Sequence, residues 1–155
     1  MAETLRQPEI MKKVQETLRM HPPATLLIPR KVDQDVELYD YIIPKGSLIL
    51  INVWAIGRDI MFWEDPLVFK PDRFRSLKLD VRGKDFELIP FGSGRRICPD
   101  LPLALRTSPV MLGSMLKSFN WKFEAGVEPK ELDMEEKFGF ITPKAHPLRA
   151  ISSPL

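Results

Sequence analysis

Apolar positions near the start of the chain recur at helical spacing. Ile10, Val14 and Leu18 fall at i, i+4 and i+8, so Met1 to Met20 reads as helical, with a joint at Pro8, where a proline suits a first turn. Pro22, Pro23 and Pro29 end that helix and favour extended chain, which predicts a strand from Thr25 to Arg30. A short strand is expected over Val36 to Tyr39. Tyr41 to Ile43 and Leu48 to Val53 read as a hairpin around Ile43-Pro44-Lys45-Gly46, where proline at i+1 and glycine at i+3 suit a type I turn. The second hairpin strand is apolar at nearly every position, which predicts burial on both faces. Val53 to Gly57 reads as a short helix, and Ser76 to Pro90, with mixed charge and a break at Gly83, reads as coil. Leu101 to Phe119 is the strongest helix, with Leu105, Leu112, Met115, Leu116 and Phe119 along one side; Pro109 inside it should kink it or remove one hydrogen bond. Trp121 to Glu124, Phe138 to Ile141 and Leu148 to Ile151 read as short closing strands.

Composition narrows the picture. The chain has 155 residues, enough for one domain with a real core, and its hydrophobic fraction of 44% is ordinary for a soluble protein. A net charge of +2 gives no case for nucleic acid or an anionic membrane as partner. The 15 prolines cut the chain into short pieces and imply many loops. A single cysteine excludes an internal disulfide framework and a cysteine-ligated iron–sulfur cluster within one chain. The polar N-terminus has no signal-peptide core, and the longest apolar stretch, around Leu48 to Ile56, is interrupted by Asn52 and too short to span a bilayer.

That cysteine, Cys98, lies in Phe91-Gly92-Ser93-Gly94-Arg95-Arg96-Ile97-Cys98-Pro99-Asp100. A thiolate needs a positive field, and three sources stand beside it. Arg95 and Arg96 carry full charges, the glycines can turn backbone N–H groups inward, and a helix beginning near Leu101 points its positive end back at the sulfur. The plainer reading is a packed, inert cysteine in a glycine-rich turn. A third reading takes Gly92 to Arg96 as an anion-binding turn, but the lysine and hydroxyl of a P-loop are missing. A metal site from Cys98, His21 and His146 lacks ligand spacing.

Phe91, Gly94, Arg96 and Cys98 stand at F-x-x-G-x-R-x-C, which resembles the haem-binding loop of the cytochrome P450 monooxygenases. The resemblance implies haem b as cofactor, with Cys98 as the thiolate ligand of its iron, favouring O–O cleavage, and Arg96 on a haem propionate. Two further motifs follow the family's order. Glu16-Thr17-Leu18-Arg19-Met20-His21-Pro22-Pro23 resembles the E-x-x-R segment of the K helix, and Phe69-Lys70-Pro71-Asp72-Arg73-Phe74 resembles F-x-P-E-R-F. From spacing alone, Glu16 and Arg19 would be a solvated i, i+3 pair. The resemblance instead makes Glu16, Arg19 and Arg73 a buried structural triad. It also carries Arg30 to a propionate and Leu26, Leu27 and Ile28 to the substrate pocket, although ordinary core is what sequence alone favours for those three.

The implied fold is mainly α with small β-sheets (α+β), the C-terminal proximal part of the cytochrome P450 fold, truncated. Residues 1–155 would form a single partial domain. Its parts are a J-helix-like stretch (1–15), the K-helix segment (16–23), strands (25–57), the F-x-P-D-R-F motif (69–74), the haem loop (91–100), an L-helix-like stretch (101–119) and C-terminal strands (120–155). The first two are fused directly, as a deletion, a skipped exon or a mispredicted gene would leave them. Asn52-Val53-Trp54-Ala55-Ile56-Gly57-Arg58-Asp59, Asp85 to Gly92 and Asp133 to Gly139 extend the likeness to plant members of the geraniol 8-hydroxylase-like group.

Such relatives hydroxylate small lipophilic or isoprenoid substrates with O2 and electrons from an NADPH-dependent cytochrome P450 reductase. They sit on the cytosolic face of the endoplasmic reticulum membrane, whereas these residues show no signal or anchor. The family's distal helix, which carries a proton-delivering acid–alcohol pair, has no counterpart here, so the chain alone is expected to be inactive. The alternative is a non-catalytic truncated or pseudogene-derived chain with weak or no haem binding. One departure stands in the loop itself. The family reads C-x-G where this chain has Cys98-Pro99-Asp100, and Asp100 is expected to crowd the haem and oppose the positive field while serving as a good helix N-cap.

Overall fold

The computed structural model describes residues 8–124, 128 and 131–155. The first helix, α1, runs Pro8–Met20 and buries Ile10, Glu16, Arg19 and Met20, with Val14 and Leu18 half-buried beside them. It ends where Pro22 cannot continue it, and His21 N–H closes the last turn on Thr17 O at 2.7 Å. The helical expectation for residues 1–7 lies outside the described residues.

Strand β1 is Arg30–Lys31, β2 is Val36–Leu38, β3 is Tyr41–Ile43 and β4 is Leu48–Ile49. The expected strand from Thr25 to Arg30 is replaced by turns. Leu27 sits at φ 51°, its N–H bonds to Ala24 O at 3.2 Å, and only Arg30 and Lys31 pair. The expected hairpin of Tyr41 to Ile43 with Leu48 to Val53 does not form. Instead β2 pairs antiparallel with β3 and β1 pairs antiparallel with β4. Two local features decide this. Tyr39 turns the chain at φ 52° between β2 and β3, and Gly46 at φ 86° is the third residue of a turn closed by Ser47 N–H on Pro44 O. Positive φ at that position is the type II arrangement, not type I. Leu48 and Leu50 are 68% and 52% exposed, so the β4 segment is not buried on both faces.

Helix α2 spans Val53–Ile56, its first turn held by the Asn52 side chain accepting from Ala55 N–H. Helix α3 is Arg73–Ser76 and α4 is Leu101–Ser118. The chain runs through Pro109 without leaving the helix; α4 contacts α1, and it buries Leu101, Pro109 and Gly113, with Leu105 and Leu112 half-buried, while Met115, Leu116 and Phe119 are exposed. The small Gly113 and Pro109 are buried with Leu101, so the expected apolar stripe holds for Leu105 and Leu112 but not for its C-terminal part. Strands β5 (Phe119–Phe123) and β6 (Ala150–Pro154) pair antiparallel, while Phe138 to Ile141 form a bend rather than a strand. Among the described residues no helix is long and apolar enough to cross a membrane.

The core gathers Trp63, Phe74, Val81, Leu88 and Leu101, with Leu18, Leu79, Phe91, Ile97 and Leu105 packed around it. Phe91 and Ile97 bracket the cysteine loop, so the loop is fastened to the core on both sides of the glycines.

Candidate functional site

The cysteine loop begins with a tight turn. Gly92, at φ 76°, donates its N–H to Ile89 O at 2.9 Å, and Gly94, at φ 68°, opens a 3-10 turn over Gly94–Arg96. These two positions need glycine because a Cβ disfavours positive φ. The loop closes when Cys98 N–H reaches back to Phe91 O at 2.9 Å. Cys98 is thereby held half-buried at the wall of a cleft of about 360 Å³. Phe91, Arg96 and Arg30 line the same cleft, as do Leu27 and Ile28. Arg30 arrives from β1, 68 residues away in sequence from Cys98, and its Nη2 would lie 3.9 Å from a Cβ built on Gly92. Among the described residues neither the Arg30 nor the Arg96 guanidinium has a carboxylate partner.

Gly94 shapes the loop without lining the cleft, and Leu26 faces a second cleft instead. Asp100 occupies the N-cap position of α4, but its side chain makes no capping hydrogen bond and is exposed, which corrects the expectation of an N-cap carboxylate. It is not among the residues lining the cysteine cleft.

Behind the loop, Glu16 and Arg19 are fully buried, 0% and 1% exposed, so the solvated pair that spacing suggests is not formed. Arg19 grips Glu16 with both prongs of its fork, Nε to Oε2 at 2.7 Å and Nη2 to Oε1 at 2.8 Å. Glu16 Oε1 also accepts from Lys70 N–H at 2.8 Å and from Arg73 Nε at 3.2 Å. The free edges of both guanidiniums meet backbone carbonyls. Arg19 donates to Gly57, Pro66 and Val68, and Arg73 to Glu64, Asp65 and Val68. Burial pushes the Glu16 carboxyl up, but the Arg19 hydrogen bonds, the Lys70 N–H and the two guanidinium charges outweigh it and hold it below the usual carboxylate range. Both guanidiniums lie over the Trp63 ring, 5.1 and 5.9 Å from its centre.

Other contacts have no local sequence signal. Gly83, at φ 75°, brings the coil so close to the loop that an added Cβ would lie 2.8 Å from Gly92 O, and Ser93 Oγ donates to Gly83 O. A Cβ on Gly57 would overlap the Arg19 carbonyl. His21, Trp54, Arg58 and Glu136 form a polar cluster. Glu136 Oε1 meets His21 Nδ1, Trp54 Nε1–H donates to Oε2 at 3.0 Å, and Arg58 stacks over the Trp54 ring at 4.0 Å. Burial raises the Glu136 carboxyl, yet bonds from His21 and Trp54 and the charges of His21 and Arg58 leave it below the ordinary value. Cys98, His21 and His146 do not converge, since His21 pairs with Glu136 and His146 with Asp133.

The family model described as Cytochrome P450 matches residues 8–148. The chain belongs to the cytochrome P450 family. It is 64% identical over 150 residues to geraniol 8-hydroxylase of Catharanthus roseus, a match covering 97% of this chain and 30% of that protein. It is 61% identical over 154 residues to geraniol 8-hydroxylase of Swertia mussotii, covering 99% of this chain and 31% of that one. Drimenol monooxygenase of Persicaria hydropiper is 48% identical over 149 residues, 96% of this chain and 30% of that protein. Among solved structures, a zebrafish cytochrome P450 with abiraterone superposes at a TM-score of 0.83 with 25% identity, covering 100% of this chain and 36% of that one. The chain thus spans about a third of the length of these P450 relatives. Its fold is that of part of a P450, helices with small antiparallel sheets, and the cofactor of this family is haem b.

Proposed function

We propose that these residues form the proximal side of a haem-thiolate monooxygenase site. The observation that carries the reading is the convergence of Cys98, Arg96, Arg30 and Phe91, from two separate stretches of chain, on one cleft. The donor set suits haem. Cys98 offers one soft ligand for iron, two guanidiniums that have no carboxylate partner among the described residues match two propionates, and Leu27, Ile28 and Phe91 supply apolar wall. The glycine at position 92 leaves open the space beside Leu27 and Arg30 that a Cβ would enter.

In this reading Cys98 would supply the thiolate that holds the haem iron, and the Phe91 carbonyl accepting from the Cys98 N–H fixes its backbone. Arg96 and Arg30 would hold the haem propionates, and Gly94 sets the turn. Glu16, Arg19 and Arg73 keep the stretch of residues 57–73 locked behind the loop. Haem, when bound, supplies the one-electron and dioxygen chemistry of the family. The whole protein would hydroxylate a small lipophilic substrate, isoprenoid-like by analogy with the geraniol and drimenol enzymes, with electrons from an NADPH-dependent reductase. Ile28, Phe140 and Ile141 are 72%, 66% and 63% exposed beside the cleft. Water therefore reaches it freely, and these residues alone should bind haem without oxidising substrate.

Haem titration tests the reading. Arg30→Leu and Arg96→Leu should each weaken haem uptake roughly tenfold, the value of a hydrogen bond between charged groups. Uptake unchanged in both variants would contradict the clamp, and no uptake by the parent chain would favour a non-catalytic product.

A further inference from the structure

Residues 136–144 form a small loop between two clefts. Glu136 and Lys144 pair as an isolated antiparallel bridge, and Lys137 N–H bonds to Pro143 O at 2.9 Å. On one side, Phe140 and Ile141 line the cysteine cleft with Cys98. On the other, Phe138 lines a second cleft of about 240 Å³ with Thr25, Leu26, Asn52 and Trp54. The loop is the partition between them.

Among the described residues, Thr142 and Glu136 fix this partition to the body, and the Thr142 hydroxyl also lies 3.5 Å from the Thr25 hydroxyl. Thr142 N–H donates to Pro23 O at 2.9 Å. The second attachment is Glu136, whose carboxylate spans two distant elements, taking His21 just past α1 on one oxygen and the Trp54 indole of α2 on the other. Arg58 approaches within 3.9 Å of the His21-bound oxygen while its guanidinium covers the Trp54 ring. The Lys144 ammonium, also at the loop's base, is turned to His146 O at 2.8 Å. The Glu136 side chain is only 21% exposed, so its negative charge is held mainly by these partners. That arrangement exceeds what is needed to close a surface loop, since the bridge and the Lys137 bond already do that.

We infer that Glu136 is the positioning residue of this partition: by gathering His21, Trp54 and Arg58 it sets how far Phe140 and Ile141 reach into the cleft that Cys98 lines, and so sets the width of that cleft. The importance of the width rests on the haem-site reading above, but the geometry does not, and it is tested without haem.

Cys98 is the only cysteine, and it reports on its own cleft. The reaction of the whole chain with 5,5′-dithiobis(2-nitrobenzoate) is followed across low urea concentrations. Glu136→Gln keeps the shape and removes the charge. Trp54→Phe keeps a ring beneath Arg58 and removes one donor, so it is the variant that decides if Glu136→Gln does not fold. Loss of a hydrogen bond to a charged group corresponds to about a tenfold shift in a local opening equilibrium. Modification should therefore speed up about tenfold in Glu136→Gln and several-fold in Trp54→Phe. The gain should depend only weakly on urea, because local release exposes little surface, whereas global unfolding carries a steep urea slope. Unchanged rates in both variants, or faster rates with the slope of global unfolding, would overturn the assignment.

Discussion

Replacing Glu16 with glutamine changes one atom and should remove a large part of the fold's stability. Three donors converge on Oε1, from Arg19 Nη2, Lys70 N and Arg73 Nε, and one, Arg19 Nε, on Oε2. A glutamine carbonyl can keep the first three. Its amide then faces Arg19 Nε–H donor to donor, so at least one charge-assisted bond is lost outright. The larger effect is electrostatic. Two guanidiniums, with side chains 0% and 8% exposed, lose their shared counter-charge and have only carbonyl partners left. Breaking a buried charge network by removing one partner costs about 3–5 kcal/mol, against about 5–15 kcal/mol for the total stability of a typical domain. With a urea slope of about 1–3 kcal/mol/M, the unfolding midpoint should fall by about 1–5 M. Arg19→Lys should also destabilise, because an ammonium cannot reproduce the two-pronged grip on Glu16 while serving three carbonyls. A midpoint shift below about 0.3 M for Glu16→Gln, measured with and without haem, would refute the view that this triad holds the region behind the cysteine loop.

The same network predicts an acid limb. Glu16 is held below the ordinary carboxylate range when folded, so its contribution is full above that range and is lost as pH falls through its depressed folded value. The stability gap between the parent and Glu16→Gln should therefore narrow on acidification, and a gap independent of pH would contradict it. Gly83→Ala places a Cβ 2.8 Å from Gly92 O at a φ of +75°, and should cost about 1–3 kcal/mol in urea unfolding while loosening haem uptake. Asp100→Gly removes an exposed side chain that makes no capping bond, so stability should change by only a few tenths of a kcal/mol and haem affinity by less than about threefold in titration.

The cysteine loop was legible because its determinants are contiguous. Phe91 to Cys98 closes on itself through one backbone bond, and the glycines that permit it are written beside the ligand. The burial of Glu16 and Arg19 could not be read from helical spacing, since what buries them is chain from Gly57 to Arg73 folding over that face; only the resemblance pointed there. Strand pairing failed for a different reason. Turn geometry at Tyr39 and Gly46 decides which short strands meet, and single positive-φ residues such as Tyr39 and Leu27 leave no signature in hydrophobic patterning. The expected α4 stripe holds only in part: Leu105 and Leu112 are half-buried, but Pro109 and Gly113, which are not the most apolar, are the buried residues beyond Leu101. Glu136 and His21 meet across 115 residues, and neither residue type nor spacing announces such a pair.

The most direct measurement is the Soret band of the reduced, CO-bound haem complex of this chain beside its Cys98→Ala variant. If Cys98 is the axial ligand, the parent shows the red-shifted band of thiolate ligation and the variant lacks it. The same band in both, or a band typical of a neutral ligand in the parent, would contradict the assignment.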